Sequence, residues 1–387
     1  MLRIGIIGYG YRMNDLVKEM MATGELKITA IMDRDIELVK TRFINALGWK
    51  DITYYSDAKK MMDSEKLDGV CIGTWCNSHT EYAMLVSQYN LPIYLEKPVC
   101  TTEEDLARLK SITHINDQIV VSFPLRPSRM ITYAKELIDS GKIGEIAHIE
   151  AINNVPYATG YFHKWYREER ITGGQFLQKA THDLDYINYL LGGMRPVRVC
   201  AMKSKQVFKG DKPAGFKCKD CPDIKTCPES PQTPENIIKA ASGGIIGEYC
   251  CYSEDNTIED SGSLIVEYDS GLHVTYTQDF VARYGAGRRG AYIIGSKGSI
   301  EFDFYSNQIK LYHHYENITE MHSFGSIGGG HFGGDSQLIR NFIGVIKGEE
   351  SSKTTLKDGI LSAEMCLAAK KSSIEHVFVE LDTSYMD

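Results

Sequence analysis

Leu2-Arg3-Ile4-Gly5-Ile6-Ile7-Gly8-Tyr9-Gly10 (residues 2–10) decides the fold. An isoleucine-rich run meets a glycine pair. An amphipathic segment follows, with Leu16, Val17, Met20 and Met21 at helical spacing. A second apolar run, 28–32, ends on Asp33. The pattern predicts a strand, a glycine turn, a helix and a second strand closed by an acid. Gly8 permits the tight turn, and Gly10 lets backbone approach a pyrophosphate. The helix N-terminus, opened by Tyr11 and Arg12, offers free N–H groups to the anion. A carboxylate at Asp33 can accept hydrogen bonds from ribose hydroxyls, which favours NAD; Arg34 beside it leaves NADP open. The third position of the G-x-G-x-x-G pattern is Met13, so a wider helix–strand spacing is expected.

The remainder bounds the class. The chain has 387 residues, enough for two domains, and a formal net charge of −8 without a basic block. That argues against a nucleic-acid partner. No apolar run approaches the roughly 20 residues that span a bilayer, and the opening strand does not read as a signal peptide. A cytoplasmic protein is the expectation, with its ten cysteines mostly thiols or metal ligands.

Beyond Asp33 strand and helix alternate to about residue 123, with strands over 68–74, 91–95 and 118–123. Apolar runs joined by helices predict a parallel sheet, whose ligands bind beyond the carboxyl ends of its strands. Two such ends stand out: Thr74-Trp75-Cys76-Asn77-Ser78-His79 and Glu96-Lys97-Pro98. After Phe123 come a helix over 128–140 and β-type segments near 147–155, 197–203, 263–268, 271–280, 290–294 and 299–304. These indicate an α+β domain whose sheet is mostly antiparallel.

On Gly8-Tyr9-Gly10, Asp33, Thr74 with Asn77 and His79, and Glu96-Lys97-Pro98, the chain resembles the Gfo/Idh/MocA family of sugar-type dehydrogenases. The resemblance implies an α/β chain in two domains. Residues 1–124 would form a Rossmann NAD(P)-binding domain. Residues 125–387 would form an α+β substrate and oligomerisation domain with a large open sheet, carrying a cysteine insert at about 210–251. It also implies that Lys97 lies between nicotinamide and substrate, that Glu96 helps hold the cofactor, and that a cis bond precedes Pro98. Arg126 joins the expected cofactor set, and a homo-oligomer, dimer or tetramer, is expected.

The stretch 173–191 (GGQFLQKATHDLDYINYLL) reads as an amphipathic helix. Phe176, Leu177, Ala180, Leu184, Ile187 and Leu191 share one side. Gln178, His182, Asp185 and Tyr189 share the other, flanked by Lys179. That polar side is either solvated or catalytic. In the family an aspartate and a histidine four apart act here on a sugar hydroxyl. His182 matches the histidine, whereas Gln178 occupies the aspartate position, so Asp185 is a candidate to orient His182. The acid/base candidates are Lys97 and His182, with Lys179 third. Tyr157 and Trp165, in an aromatic loop over 155–166, suit a sugar ring.

Cys218, Cys221 and Cys227, with Cys250 or Cys251 to close the set, have the spacing of a structural zinc clip for the insert; free thiols or a partial disulfide are the alternatives. A glycine-rich loop, 326–334, carries His331 ahead of Asp335. Either His331 contacts substrate or Asp335 caps the following helix. The expected activity is NAD(P)-dependent hydride removal from a secondary hydroxyl of a carbohydrate or cyclitol. The rivals are an NAD-dependent redox-neutral glycosidase and a non-catalytic NAD-binding regulator.

Overall fold

The computed structural model describes residues 1–49, 51–233, 247–325 and 330–386. Parts of the cysteine insert and of the 326–334 loop therefore lie outside the described residues.

Six parallel strands build the first sheet: β1 (Leu2–Ile7), β2 (Leu26–Met32), β3 (Thr53–Tyr55), β4 (Gly69–Ile72), β5 (Ile93–Leu95) and β6 (Ile119–Val121). Their order is β3-β2-β1-β4-β5-β6, so strand order reverses between β1 and β4. An open α/β sheet binds its ligand at that reversal. β4 and β6 are buried at every position, as strands covered on both faces must be.

The second sheet has nine strands in the order β14-β13-β12-β11-β7-β10-β9-β8-β15. They are β7 (Ile146–Asn154), β8 (Pro196–Ser204), β9 (Ser261–Tyr268), β10 (His273–Asp279), β11 (Arg288–Gly295), β12 (Gly298–Asp303), β13 (Gln308–His313), β14 (Thr319–Ser323) and β15 (Val379–Glu380). Every neighbouring pair is antiparallel except β7 with β10. Burial alternates along β9 and β10, which leaves one face for the core and one for solvent. The sequence reading missed β3, β13 and β14. The first is three residues long, and β14 has no buried residue to mark an apolar face.

Residues beyond 124 also pack on the first sheet. The helix Gly334–Lys347 returns to the first sheet and packs Leu338, Ile339 and Phe342 against Ile4, Ile6 and Val17. The opposite face of that sheet shares a continuous core with the 176–191 segment and the helix Leu356–Glu375. Thr354 fixes the junction: Val121 N donates to its carbonyl at 2.7 Å, and its hydroxyl donates to Val121 O at 2.7 Å.

Candidate active site

A cleft of about 870 Å³ opens at the strand-order reversal, lined by Gly8–Met13, Asp33, Thr74–His79, Glu96, Lys97, Gln178, Lys179, His182 and His331 among others. Gly8 has φ +82°, and a Cβ there would stand 2.7 Å from Thr74 backbone N. Only glycine fits that turn. A Cβ on Gly10 would meet nothing within 4 Å, which leaves open space above the helix N-terminus. Met13 is buried. It lies over Gly73, where a Cβ would come within 2.4 Å of Met13 Cε. The glycine that the motif lacks on the helix is thus supplied by the facing strand end.

Asp33 accepts from Tyr9 N at 2.8 Å through one oxygen and from Asp35 N at 2.9 Å through the other. Each oxygen keeps a lone pair for a ribose hydroxyl. Arg34 stacks its guanidinium 3.8 Å over the Trp75 ring. Trp75 stacks on Trp165 across the cleft at 5.3 Å, and Trp165 on Tyr166 at 3.9 Å. The glycine turn, the open backbone above Gly10 and the strand-end carboxylate fit a dinucleotide.

β5 ends on the turn that carries Lys97, and the Lys97–Pro98 bond is cis. His79 braces this turn, its ring nitrogens 2.7 Å from Pro98 O and 3.2 Å from Thr74 O. Burial lowers His79, and the neutral ring donates its one N–H to a single carbonyl while lining the cleft wall. Exposed Asn77 stands at the cleft rim. Lys97 Nζ donates to the carbonyl of Gln178 at 2.7 Å. Burial, then the like charge of Lys179, lower the Lys97 ammonium to about 8.

The predicted 173–191 helix starts as a π-turn, Phe176–Ala180, and becomes α-helical over Thr181–Leu191. Glu259 satisfies its first donors, accepting from Gln175 N at 2.9 Å and Phe176 N at 3.2 Å. Gln178 and Lys179 sit within the wide turn, a feature common at functional sites. The polar side is not solvated: Gln178, Lys179, His182 and Asp185 are all buried. Burial first, then Lys97 and Arg289, hold His182 well below its ordinary value, so it is a neutral imidazole. Its Nδ1 is buried without a partner.

Asp185 does not orient His182. Its carboxylate is held by Arg126, whose Nε donates to it at 3.1 Å. That pairing also corrects Arg126 as a cofactor ligand: the guanidinium is spent on Asp185 and on Asp358, 3.0 Å away, and does not line the cleft. Arg12 lines the cleft but is equally engaged, with Glu96 at 2.9 Å and Asp335 at 2.5 and 3.0 Å. Asp335 is not an N-cap either; that position is Gly333. Tyr157 reaches the site through Lys179, whose Nζ donates to its hydroxyl at 2.9 Å. Burial pushes the Tyr157 phenol up, but Lys179 and Arg289 more than offset this and leave it lowered. Arg289, paired with Asp183 at 2.8 Å, is the buried cation that sequence reading missed. Nothing in Arg288-Arg289-Gly290 distinguishes it from a surface arginine.

The zinc expectation is not met. Among the described residues no three His, Cys, Asp or Glu side chains stand where they could hold a metal ion. Cys218 faces Tyr249 O at 3.6 Å and His163 Nδ1 at 3.7 Å, and burial raises its thiol to about 12. Cys221, Cys227 and Cys250 form no disulfide, and a hydrogen bond from Cys251 lowers Cys250 to about 6. Arg167 holds the insert instead, donating to Ser253 Oγ at 2.6 Å and Cys250 O at 3.2 Å and pairing with Asp255 at 2.5 Å.

A parallel sheet with a glycine-turn cleft, completed by a second sheet domain that brings polar side chains to it, defines a two-domain NAD-binding oxidoreductase. The chain belongs to the Gfo/Idh/MocA family. Residues 2–122 match its oxidoreductase NAD-binding Rossmann fold, and residues 131–301 match its C-terminal domain. A putative oxidoreductase of Bacillus subtilis, YteT, is 27% identical over 74% of each chain. The myo-inositol 2-dehydrogenase of Thermotoga maritima is 25% identical over 195 residues, 49% of this chain and 55% of its own length. A levoglucosan dehydrogenase solved with NADH and L-sorbose superposes with a TM-score of 0.78 over 99% of both chains at 18% identity, a likeness of fold. Among the described residues no helix is long and apolar enough to cross a membrane.

Proposed function

We propose that this protein is an NAD-dependent dehydrogenase acting on a secondary hydroxyl of a carbohydrate or cyclitol. The observation that carries the reading is Lys97. It is a half-buried lysine lowered to about 8 at a strand end in the cleft, anchored to Gln178 O at 2.7 Å. NAD, when bound, supplies the hydride acceptor. Gly8, Gly10, Tyr11, Arg12, Asp33, Thr74, Asn77 and Glu96 shape its half of the cleft. Asp33 favours NAD over NADP by its charge. Lys97 and the neutral His182 are the acid/base pair that receives the hydroxyl proton, and buried Lys179 keeps Lys97 deprotonable. Trp165, Gln178 and His331 border the substrate, and Tyr157 stands behind Lys179. The named inositol and levoglucosan dehydrogenases support a polyhydroxylated substrate. They give the redox-neutral glycosidase expectation no support.

The test is product analysis by mass spectrometry with NAD and a panel of free sugars, cyclitols and glycosides, myo-inositol and levoglucosan included. A product lighter by two hydrogens with stoichiometric NADH is expected. Aglycone release that needs NAD but accumulates no NADH would overturn the reading.

A further inference from the structure

The proton that leaves the substrate needs a place to rest, and His182 is a poor one. Lys97, Arg289, His331 and Lys179 all act on it as positive or potentially positive neighbours, and burial adds to their effect. Its own helix offers no free carboxylate. Asp183 is taken by Arg289 at 2.8 Å, Asn153 at 2.8 Å and Tyr276 at 3.0 Å, and Asp185 by Arg126. Yet the His182 ring lies 5.8 Å from that of His331, which does have a carboxylate: Asp335 Oδ2 is 2.9 Å from His331 Nδ1.

This second imidazole is held in place. Phe332 packs on Phe304 at 5.0 Å, and a Cβ on Gly334 would fall 1.6 Å from Pro124 O, so the loop lies flat against the first domain. His331 and Phe332 both adopt left-handed backbone conformations, φ +47° and +59°. Arg12 then ties the loop to the rest of the site. Its guanidinium forks on Asp335 at 2.5 and 3.0 Å and reaches Glu96, next to Lys97, at 2.9 Å.

We infer that Asp335 and His331, clamped by Arg12, form the proton-receiving dyad of this site, to which His182 passes the proton it takes from the substrate hydroxyl. The inference rests on the dehydrogenase reading and deepens it. NAD, when bound, would accept the hydride that leaves with the electron pair of the substrate's C–H bond. The O–H bond breaks with its proton going to His182, and the carbonyl forms. The proton then moves to His331 Nε2, the nitrogen that Asp335 leaves free. Asp335 is ionised, because burial raises it but His331 and Arg12 pull it well below the carboxylate range. It therefore accepts Nδ1–H and fixes the tautomer that leaves a lone pair on Nε2. Burial outweighs Asp335 in lowering His331, so that imidazole starts neutral and can accept. Arg12 and Asp335 are positioning residues.

The full chain labelled with 15N-histidine tests this without turnover. His331 is assigned from the resonance lost in His331→Gln. A neutral Nδ1–H tautomer is expected near pH 7, converting towards Nε2–H in Asp335→Asn. A wild-type Nε2–H tautomer would overturn the dyad. With whichever sugar or cyclitol the wild type oxidises, His331→Ala should lose about 10²-fold in kcat. NADH affinity should stay within twofold, and added imidazole should restore part of the rate. Full kcat in His331→Ala would also overturn it. If the wild type binds NADH but oxidises nothing on the panel, the hydroxyl-oxidation reading fails, while the tautomer still decides the dyad.

Discussion

The strand end at Glu96-Lys97-Pro98 and the segment 176–191 bring their chemistry to one cleft by opposite routes. The strand end is a short turn on a parallel sheet, held by partners from the same domain: His79 to Pro98 O and Glu96 to Arg12 and Ser122. The segment is a π-turn running into an α-helix, buried on both sides, and its polar residues are held by partners far away in the chain. A turn of the first kind positions one group. A helix of the second kind carries several polar groups into the interior together, and there burial leads the lowering of His182 and the raising of Asp185.

The sharpest way to break this comparison is to remove the strand-end amine. Lys97→Ala should cost about 10²–10⁴-fold in kcat, with NADH binding retained by fluorescence titration. Near-normal kcat would show that the helix alone does the proton work. A smaller effect tests how the helix tunes the strand end. A neutral Lys97 no longer opposes protonation of His182, so the rate of hydroxyl oxidation should rise with pH through about 8. Lys179 lowers Lys97 by like charge, so Lys179→Met should move that limb to higher pH. A limb that stays put would detach Lys179 from Lys97. The smallest effect on catalysis is expected from Arg126→Met. It should leave NADH affinity unchanged while lowering stability by about 3–5 kcal/mol, because Asp185 is then buried without its partner. Weakened NADH binding at unchanged melting temperature would restore Arg126 to the cofactor set.

The same contrast explains what the sequence could show. The first domain was legible because its signals are local: an apolar run, a glycine pair and an acid at the next strand end mark the cleft within 33 residues. Lys97 was legible for the same reason. The helix was legible only as an amphipathic pattern, because a wheel cannot tell a solvated face from one buried under a second domain. Arg126 and Asp185 pair across 59 residues and Arg12 and Asp335 across 323. No spacing rule sees such pairs, so the ion pairs that Arg126 and Arg12 make were not foreseen. The cysteine spacing found no support as a metal site among the described residues, and the Arg167 contacts to the insert cross 83 to 88 residues, again beyond any spacing rule.

The helix Gly334–Lys347 has a consequence for how the molecule is made. It covers Ile4, Ile6 and Val17 and presses so close that a Cβ on Gly69 would come within 2.8 Å of Ile346 Cδ1. On the ribosome, the six strands of the first sheet emerge long before this helix does, by on the order of tens of seconds at ordinary elongation rates. For that interval the nascent first domain shows water an apolar flank that only the last part of the chain can cover. Fragments that stop short of Gly334 should therefore be the sticky, chaperone-dependent ones, even though they contain the whole nucleotide fold.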